Sequence, residues 1–440
     1  MKGTQVNAYH TVLSMSIDGL RLCGIWGLNT STSIYIKLIH LLSGIIGIIA
    51  LMLLITTIAA DLLYNLDDLL IITDNGCYLA GLSVILFKIY KFHNQRNQIQ
   101  NLTKAIYTPI RNLQRSTDAE ISNILRANTF YENIGFTFFS SMGAILMIAL
   151  IFFVPRKDGE LPMRAAYPID ITTPPTFQLA FVAQLYAVAY GVAAILLMDT
   201  IGLGFMRWIN VQLIILSHNY RNCEPKSFQE NDGHSNTFIN SAQLLENRRK
   251  SKISMDINGD PKITSTIVLF PTSELDNVHK DFVSRFKQCV MNHQRLIGIV
   301  EDINNIFSTS MLMQLFASFT MICLTGFQAV LGVEEKSSLM KFVIYLGAAL
   351  TQLLYWCWYG NELFYQTQSL LIAQWMSGWE NQLNSASKIL IVMSMSRTMQ
   401  PLELKAGVFF TMSMETFIAV ISIEFLPHAF LHIIIFDMEH

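Results

Sequence analysis

Long apolar runs separated by polar segments are the dominant pattern of this chain. A helix that crosses a bilayer needs about 20 mostly apolar residues, because no backbone polar group can stay unpaired in hydrocarbon. Two weaker runs, Leu69 to Phe87 and Leu404 to Ile435, carry the acidic residues Asp74 and Glu424. The clearest runs are Leu38 to Ala60, Asn133 to Val154, Phe177 to Met198, Ser308 to Leu331 and Leu339 to Gly360. Together these runs predict seven spanning helices.

Helical periodicity continues beyond the fourth and fifth runs, in the segments MRWINVQLIILSHNY and HKDFVSRFKQCVMNHQRLIGIVEDINNIF. We expect these segments to extend spans four and five into the cytoplasm. The stretch from Ser369 to Met399 carries Trp375 and Trp379, but polar residues interrupt it. It predicts an amphipathic helix outside the bilayer, with both tryptophans packed into an intracellular helical subdomain.

Lys and Arg residues are distributed unequally between the two sides of the predicted membrane. Alternate segments on one side hold 25 of the 30 basic residues, and an excess of Lys and Arg marks cytoplasmic loops. The N-terminus is therefore predicted to be cytoplasmic and the C-terminus extracellular. A seven-helix receptor coupled to G proteins has the opposite orientation.

The composition excludes most other classes of protein. The 440 residues are 52% hydrophobic and 14% charged, which is typical of a membrane protein. The sequence has no Gly-rich phosphate loop, no zinc-spaced Cys and His set and no nucleophile motif, so we expect no enzymatic activity, no cofactor, no metal and no nucleic-acid partner. A polar insertion at about 223–275 predicts disorder. The first apolar run predicts an uncleaved signal.

Four segments carry a resemblance to the insect odorant receptors. LPMRAAYPIDITTPPTFQLAFVAQLYA is similar to the proline-bounded outer loop of that family, and NNIFSTSMLMQLFASFTMICLTGFQ is similar to its fifth span. QLLYWCWYGNELFYQTQSLLIAQWMSGWE and KILIVMSMSRTMQPLELKAGVFFTMSMETFIAVI resemble its C-terminal half. The resemblance covers the chain apart from the long insertion.

The resemblance implies an all-α, seven-transmembrane subunit of a heterotetrameric, odorant-gated, non-selective cation channel, paired with the odorant receptor co-receptor in the plasma membrane of an olfactory sensory neuron dendrite. It also implies a cytoplasmic anchor domain and a divided last helix, broken here at Pro401. The implied organisation is a cytoplasmic N-terminus (1–37), helices one to four with the ligand pocket (38–206), a cytoplasmic loop (207–303), helices five and six (304–365), an anchor helix (366–400) and a pore-lining last helix with an extracellular C-terminus (401–440).

The family's ligand pocket lies in the outer half of the bilayer between spans two, three, four and six. Apolar residues at helical spacing are more often packing or lipid contacts than ligand contacts. An apolar cavity with one or two hydroxyl groups would suit a volatile ester, alcohol, ketone or terpenoid. The residues that the resemblance assigns to this pocket are Cys77, Tyr78, Met142, Ile145, Ile148, Phe181, Leu185 and Tyr345, with Phe319 behind them.

Glu424, His428 and His432 recur at four-residue spacing in the last apolar run and therefore share one helix face. The resemblance places His428 and His432 at the narrowing of the pore. Two other interpretations remain open: histidines that reach the membrane interface, and hydrogen bonds between helices. In span four, Asp199 is expected to pair with Arg207.

Three alternatives remain to a channel subunit. A chemoreceptor of the gustatory type would share the fold but carry a Thr-Tyr and Gln-Phe motif in its last span. A receptor acting through a cytoplasmic transducer requires an extracellular N-terminus. A transporter would be expected to show paired, broken hydrophobic segments in two halves of the chain.

Overall fold

Long helices dominate the protein. The computed structural model describes residues 11–27, 33–113, 119–148, 161–168, 175–224, 282–331, 336–381 and 385–422. Its elements are α1 (Thr11–Leu22), α2 (Ile34–Tyr64), α3 (Leu69–Asn94), α4 (Arg96–Leu113), α5 (Ala119–Ile148), α6 (Thr176–Arg221), α7 (Phe282–Leu331), α8 (Lys336–Trp375), a 3-10 turn (Trp379–Asn381), α9 (Ser385–Thr398), β1 (Lys405–Ala406), β2 (Phe410–Thr411) and α10 (414–422).

One narrow face of α2 packs against other helices of the protein. Gly47, Leu51, Leu54 and Ile58, at helical spacing, are buried on the side of α2 that packs against α3 and α6. The other faces are also apolar but exposed, which is typical of a helix surrounded by lipid. The exposed residues include Ile39, Leu42, Ile46, Ile49 and Leu53.

Among the described residues, four helices are long and apolar enough to cross a membrane. They are Ile34–Tyr64, Leu69–Asn94, Thr176–Arg221 and Phe282–Phe327. They coincide with predicted spans one, two, four and five. The other three predicted spans, and therefore the count of seven and the orientation of the termini, remain predictions.

The extensions predicted for spans four and five are confirmed as continuous helix. α6 has 46 residues and α7 has 50, which corresponds to roughly 70 Å or more at a rise of 1.5 Å per residue. A bilayer core of about 30 Å can contain less than half of such a helix. The remaining part of each helix therefore packs outside the hydrocarbon.

A helical subdomain forms where these extensions meet α4. α4 buries Ile99, Ile106 and Ile110 against α6 and α7, while Lys104 remains exposed. Polar contacts connect the three helices: Arg295 Nη2 donates to Gln212 Oε1 at 2.6 Å, and Gln212 Nε2 donates to the carbonyl oxygen of Ile106 at 3.1 Å. The amphipathic character of α4 agrees with an aqueous location.

The prediction of one anchor helix over 366–400 is wrong. Residues 366–375 are the end of α8, and a separate helix, α9, covers Ser385–Thr398. Gly378, at φ +80°, lies between them in a conformation that disfavours other residue types. Trp375 is 62% exposed at the end of α8, so its predicted burial is also wrong, whereas Trp379 packs against the core.

The last helix begins later than predicted. Residues 404–412 form a short antiparallel hairpin instead of helix, with Lys405 opposite Thr411, and α10 follows from residue 414. Pro401, just before the hairpin, has no amide to donate to a helix. Gly407, at φ +67°, turns the chain, and a Cβ there would lie 2.8 Å from Leu312 Cδ2.

The hairpin is attached to α7 by paired hydrogen bonds. Asn304 Nδ2 donates to the carbonyl oxygen of Glu403 at 2.9 Å, and its Oδ1 accepts from the Lys405 amide at 2.9 Å. One turn further along, Ser308 Oγ donates to the carbonyl oxygen of Gly407 at 3.1 Å, and the Gly407 amide donates to the carbonyl oxygen of Ser308. The start of α10 is thereby fixed to the helix bundle.

Candidate ligand-binding site

A cavity of ≈ 180 Å³ lies between α3, α5, α6, α7 and α8. Its walls are mostly aliphatic and aromatic, and Leu82, Val188 and Met321 are among them. Gly81 on α3 and Gly143 on α5 also line it. Spans two, three, four and six, named by the resemblance, all contribute, and α7 adds a fifth wall.

Four of the residues assigned to a pocket from the sequence line this cavity together: Cys77, Tyr78, Met142 and Tyr345. Tyr78 on α3 and Tyr345 on α8 are buried and meet edge to face, with ring centroids 5.6 Å apart and planes at 79°. Their hydroxyl oxygens are 3.3 Å apart, so one donates to the other. This pair supplies the hydroxyl groups expected in the pocket.

The other five assigned residues do not line the cavity. Ile145 and Ile148 are 47% and 49% exposed on α5, and Phe319 is exposed on α7. Phe181 and Leu185 are half-buried on α6, nearer its N-terminus than the cavity residues Val188 to Leu196. Residues three positions apart on a helix that is apolar on every face can point to cavity or to lipid, and apolar character does not distinguish the two.

Sequence reasoning missed the polar end of the cavity, formed by Gln314 on α7 with Thr351 and Gln352 on α8. The signal was present, since an amide side chain within a spanning run is unusual and favours an internal position. Met163, from the segment before α6, also reaches the cavity and was missed.

A buried ion pair lies next to this polar end. Lys88 Nζ on α3 is 2.6 Å from Asp199 Oδ1 on α6, and both side chains are 3% exposed. Asp199 Oδ2 accepts a hydrogen bond from Gln352 Nε2. The predicted pairing of Asp199 with Arg207 is wrong, because Arg207 instead donates to Asn128 Oδ1 at 2.6 Å and to the Tyr359 hydroxyl at 3.1 Å.

The segment 161–168 closes one side of the cavity. Gln184 on α6 holds both backbone groups of Met163: its Nε2 donates to the carbonyl oxygen at 3.0 Å, and its Oε1 accepts from the amide at 3.1 Å. Arg164 Nε lies 3.2 Å from Asp61 Oδ2, and the Ala166 amide donates to the carbonyl oxygen of Thr57. Met163 is consequently fixed in the wall.

The residues predicted to line the pore, Glu424, His428 and His432, lie outside the described residues. Their pore role therefore remains a prediction. Within the described ranges, no group of His, Cys, Asp and Glu side chains could hold a metal ion.

Membrane-spanning helices around an apolar cavity with a few fixed polar groups define a multi-pass membrane protein that can hold a small lipophilic molecule. The chain belongs to the 7tm odorant receptor family, whose model matches residues 69–425. The predicted family is thereby confirmed: the chain is a member of the odorant receptor family, which is not a family of enzymes.

Relatives and solved structures agree with this assignment. The chain is 28% identical over 184 residues to odorant receptor 13a of Drosophila melanogaster, covering 39% of this chain and 44% of the relative. It is 23% identical over 312 residues to odorant receptor 47b of the same species, covering 68% of this chain and 62% of the relative. For the first curated relatives, the chain thus spans less than half of their length.

The fold is that of a solved insect olfactory receptor. OR5 from Machilis hrabei superposes with a TM-score of 0.70 at 12% identity, over 95% of this chain and 97% of OR5. The same receptor in complex with eugenol superposes with a TM-score of 0.68 at 13% identity, over 97% and 100% of the two chains.

Proposed function

We propose that this chain is the odorant-binding subunit of a heteromeric, ligand-gated, non-selective cation channel, opened by a volatile apolar ligand. The observation that carries the proposal is the ≈ 180 Å³ cavity among five helices of an odorant receptor fold. A related receptor of this fold has been solved with the odorant eugenol. Ligand binding would open the channel to the extent that the ligand binds the open state more tightly than the closed state.

The cavity volume limits the size of the ligand. An apolar cavity of about 150 Å³ in a protein core accommodates benzene, so ≈ 180 Å³ suits a slightly larger molecule. The mostly aliphatic and aromatic wall favours apolar molecules of this size over ions and sugars.

The proposed partner is the odorant receptor co-receptor, in a heterotetramer in the plasma membrane of a sensory dendrite. The test is a screen of volatile ligands in cells that express this chain alone, the co-receptor alone, or both. Ligand-evoked cation current only in the co-expressing cells would support the proposal. Current from this chain alone would contradict the partnership, and saturating uptake without current would indicate a transporter.

The proposed topology has seven spans, a cytoplasmic N-terminus and an extracellular C-terminus. The unequal distribution of Lys and Arg residues supports it. Epitope tags at each terminus, detected on intact cells, test the orientation. An N-terminal tag that antibodies reach from outside would contradict the channel and favour a receptor that signals through a cytoplasmic transducer.

The proposed pore is lined by Glu424, His428 and His432. Histidine side chains gain positive charge on mild acidification and would then oppose the passage of cations. We expect ligand-evoked current to fall as the external pH is lowered, and His428→Ala with His432→Ala to weaken this dependence. An unchanged pH dependence in the double variant would overturn the pore assignment without touching the ligand site.

A further inference from the structure

A residue at the polar end of the cavity carries a buried hydrogen-bond acceptor without a partner among the described residues. Gln314 lines the cavity and is 4% exposed. Its Nε2 donates to Ser318 Oγ at 3.3 Å and to Gln352 Oε1 at 3.0 Å, which uses both N–H groups. Among the residues that the structure describes, Oε1 of Gln314 has no hydrogen-bond partner. A buried unpaired carbonyl is costly, and a ligand that satisfies it gains affinity.

The buried carboxylate of Asp199 fixes the direction of both amides. A carboxylate paired with a lysine only accepts hydrogen bonds, so Gln352 turns its Nε2 toward Asp199. Gln352 Oε1 then faces Gln314 and accepts a hydrogen bond from Gln314 Nε2. The orientation set at Asp199 thus leaves an oxygen, and not an N–H group, as the free group of Gln314.

Thr351, next to Gln352, also offers only a hydrogen-bond acceptor to the cavity. Its Oγ1 donates to the carbonyl oxygen of Gly347 at 2.6 Å, so its one proton is used and only oxygen lone pairs remain. The hydroxyl pair of Tyr78 and Tyr345 elsewhere in the cavity has no such restriction, because either hydroxyl can be the donor. The residues around Gln314 therefore determine whether the receptor prefers a ligand that donates a hydrogen bond or one that only accepts.

We propose that the ligand of this receptor is an alcohol or a phenol, whose hydroxyl group donates to Gln314 Oε1 while its hydrocarbon part fills the apolar cavity. This inference rests on the proposed function and narrows it to one ligand class. Ethers, ketones, esters and hydrocarbons of the same size fit the cavity but leave Gln314 Oε1 unpaired. Asp199 acts as a positioning residue, since it orients the amides without touching the ligand.

The first test compares isomers in cells that express the chain with the co-receptor. Primary alcohols such as 1-octanol and their methyl ether isomers, such as heptyl methyl ether, have the same atoms but only the alcohol donates a hydrogen bond. We expect the alcohols to act at roughly tenfold lower concentration than the ethers. Alkyl phenols and the matching aryl ethers form a second isomer series with the same expectation.

The variant that tests the acceptor is Gln314→Met combined with Gln352→Met, which removes the amide of Gln314 and also the Gln352 oxygen that would otherwise lose its donor. We expect the alcohol to lose its roughly tenfold advantage while the ether keeps its potency. The matched control is Met321→Leu, on the same helix and the same wall, which should shift both isomers together and leave their ratio unchanged. Surface labelling of each variant verifies folding.

The variant that tests the positioning role is Asp199→Asn. An amide at position 199 can donate as well as accept, so Gln352 and Gln314 can turn over and present an N–H group to the ligand. Ketones and ethers should then gain potency relative to alcohols. If this variant does not reach the cell surface, Lys88→Met with Asp199→Asn removes the unpaired charge, and the same ratio is measured.

The outcomes separate the inference from the proposed function. Ethers or ketones as potent as their alcohol isomers in the wild-type receptor, or an alcohol preference that survives the Gln314→Met, Gln352→Met double variant, would overturn the inference and leave the odorant-gated channel standing. Activation by hydroxyl-free volatiles alone would have the same meaning. Silence toward every volatile, with both subunits at the surface, would overturn the proposed function itself.

Discussion

Lys88 and Asp199 are 111 positions apart in the chain, yet their side-chain charges meet at 2.6 Å in the interior. The pair joins α3 to α6 beside the candidate ligand cavity. Removing two charges from water costs several kcal/mol each, so such a pair is stable only while both partners are present. The relative position of α3 and α6 therefore depends on this electrostatic contact.

Breaking this pair should destabilise the protein strongly. In Lys88→Met, the carboxylate of Asp199 remains buried without its counter-charge, and we expect a loss of about 3–5 kcal/mol. Thermal unfolding of the detergent-solubilised receptor measures the change. Lys88→Met combined with Asp199→Leu should recover most of the loss, and a double variant less stable than either single one would contradict the pairing.

Gly360 on α8 allows the hairpin to approach, because a Cβ at that position would overlap the carbonyl oxygen of Met412. Gly360→Ala should therefore destabilise the receptor by about 1–3 kcal/mol through the displaced hairpin. Gly347→Ala is the matched control, since nothing lies within 4 Å of a Cβ at that position of the same helix.

In the control, alanine should be neutral or stabilising by up to about 1 kcal/mol, because it is the better helix former. Melting temperatures of the two variants give the comparison. Equal melting temperatures would mean that the hairpin does not pack on α8 as described.

Gln184 should hold the segment 161–168 closed over the cavity. Gln184→Met removes both hydrogen bonds to the Met163 backbone, so the segment should open more often and trypsin should cleave faster after Arg164, which is 54% exposed. Fragment masses from limited proteolysis identify the cut. Tyr167→Phe, which removes only the weaker contact of Gln184 at 3.3 Å, serves as the control and should leave the cleavage rate near that of the wild type.

Met142 and Ile145 lie one helical turn apart on α5, but only Met142 faces the cavity. Met142→Ala should enlarge the cavity and shift the preferred ligand toward larger molecules, with potency changes of roughly tenfold. Ile145→Ala should leave the dependence of the current on ligand concentration unchanged, because the Ile145 side chain is exposed on the outside of the protein. Dose responses of the current to a homologous ligand series measure these shifts. Equal shifts in both variants would contradict the position of the cavity.

The four long apolar helices could be predicted from the sequence because bilayer thickness dictates the length of an apolar run. The continuation of α6 and α7 beyond the membrane was equally accessible, since the 3.6-residue period persists after Met198 and before Ser308. The rotation of each helix about its own axis could not be predicted from the sequence. Met142 and Ile145 are both apolar, and lipid and cavity select the same residue types.

Contacts between distant segments were also beyond sequence reasoning. Asp199 has Arg207 nearby in the chain, but its partner Lys88 is on another helix, and only the packing of α3 on α6 brings them together. The hairpin was more accessible. Pro401 precedes the hairpin, Gly407 lies at its turn, and the β-branched and aromatic residues 408–411 follow, which is a turn signal, but the apolar run around it favoured helix.

α8 carries both the polar end of the cavity, at Gln352, and the contact with the hairpin, at Gly360. Two unbroken helical turns separate these points, about 12 Å at 1.5 Å per residue. Since both points belong to one rigid body, a rotation of α8 that admits a ligand at Gln352 also rotates Gly360 against the carbonyl group of Met412. A ligand at Gln352 is therefore linked through the rigid backbone of α8 and one packing contact to Met412, two residues before α10 begins.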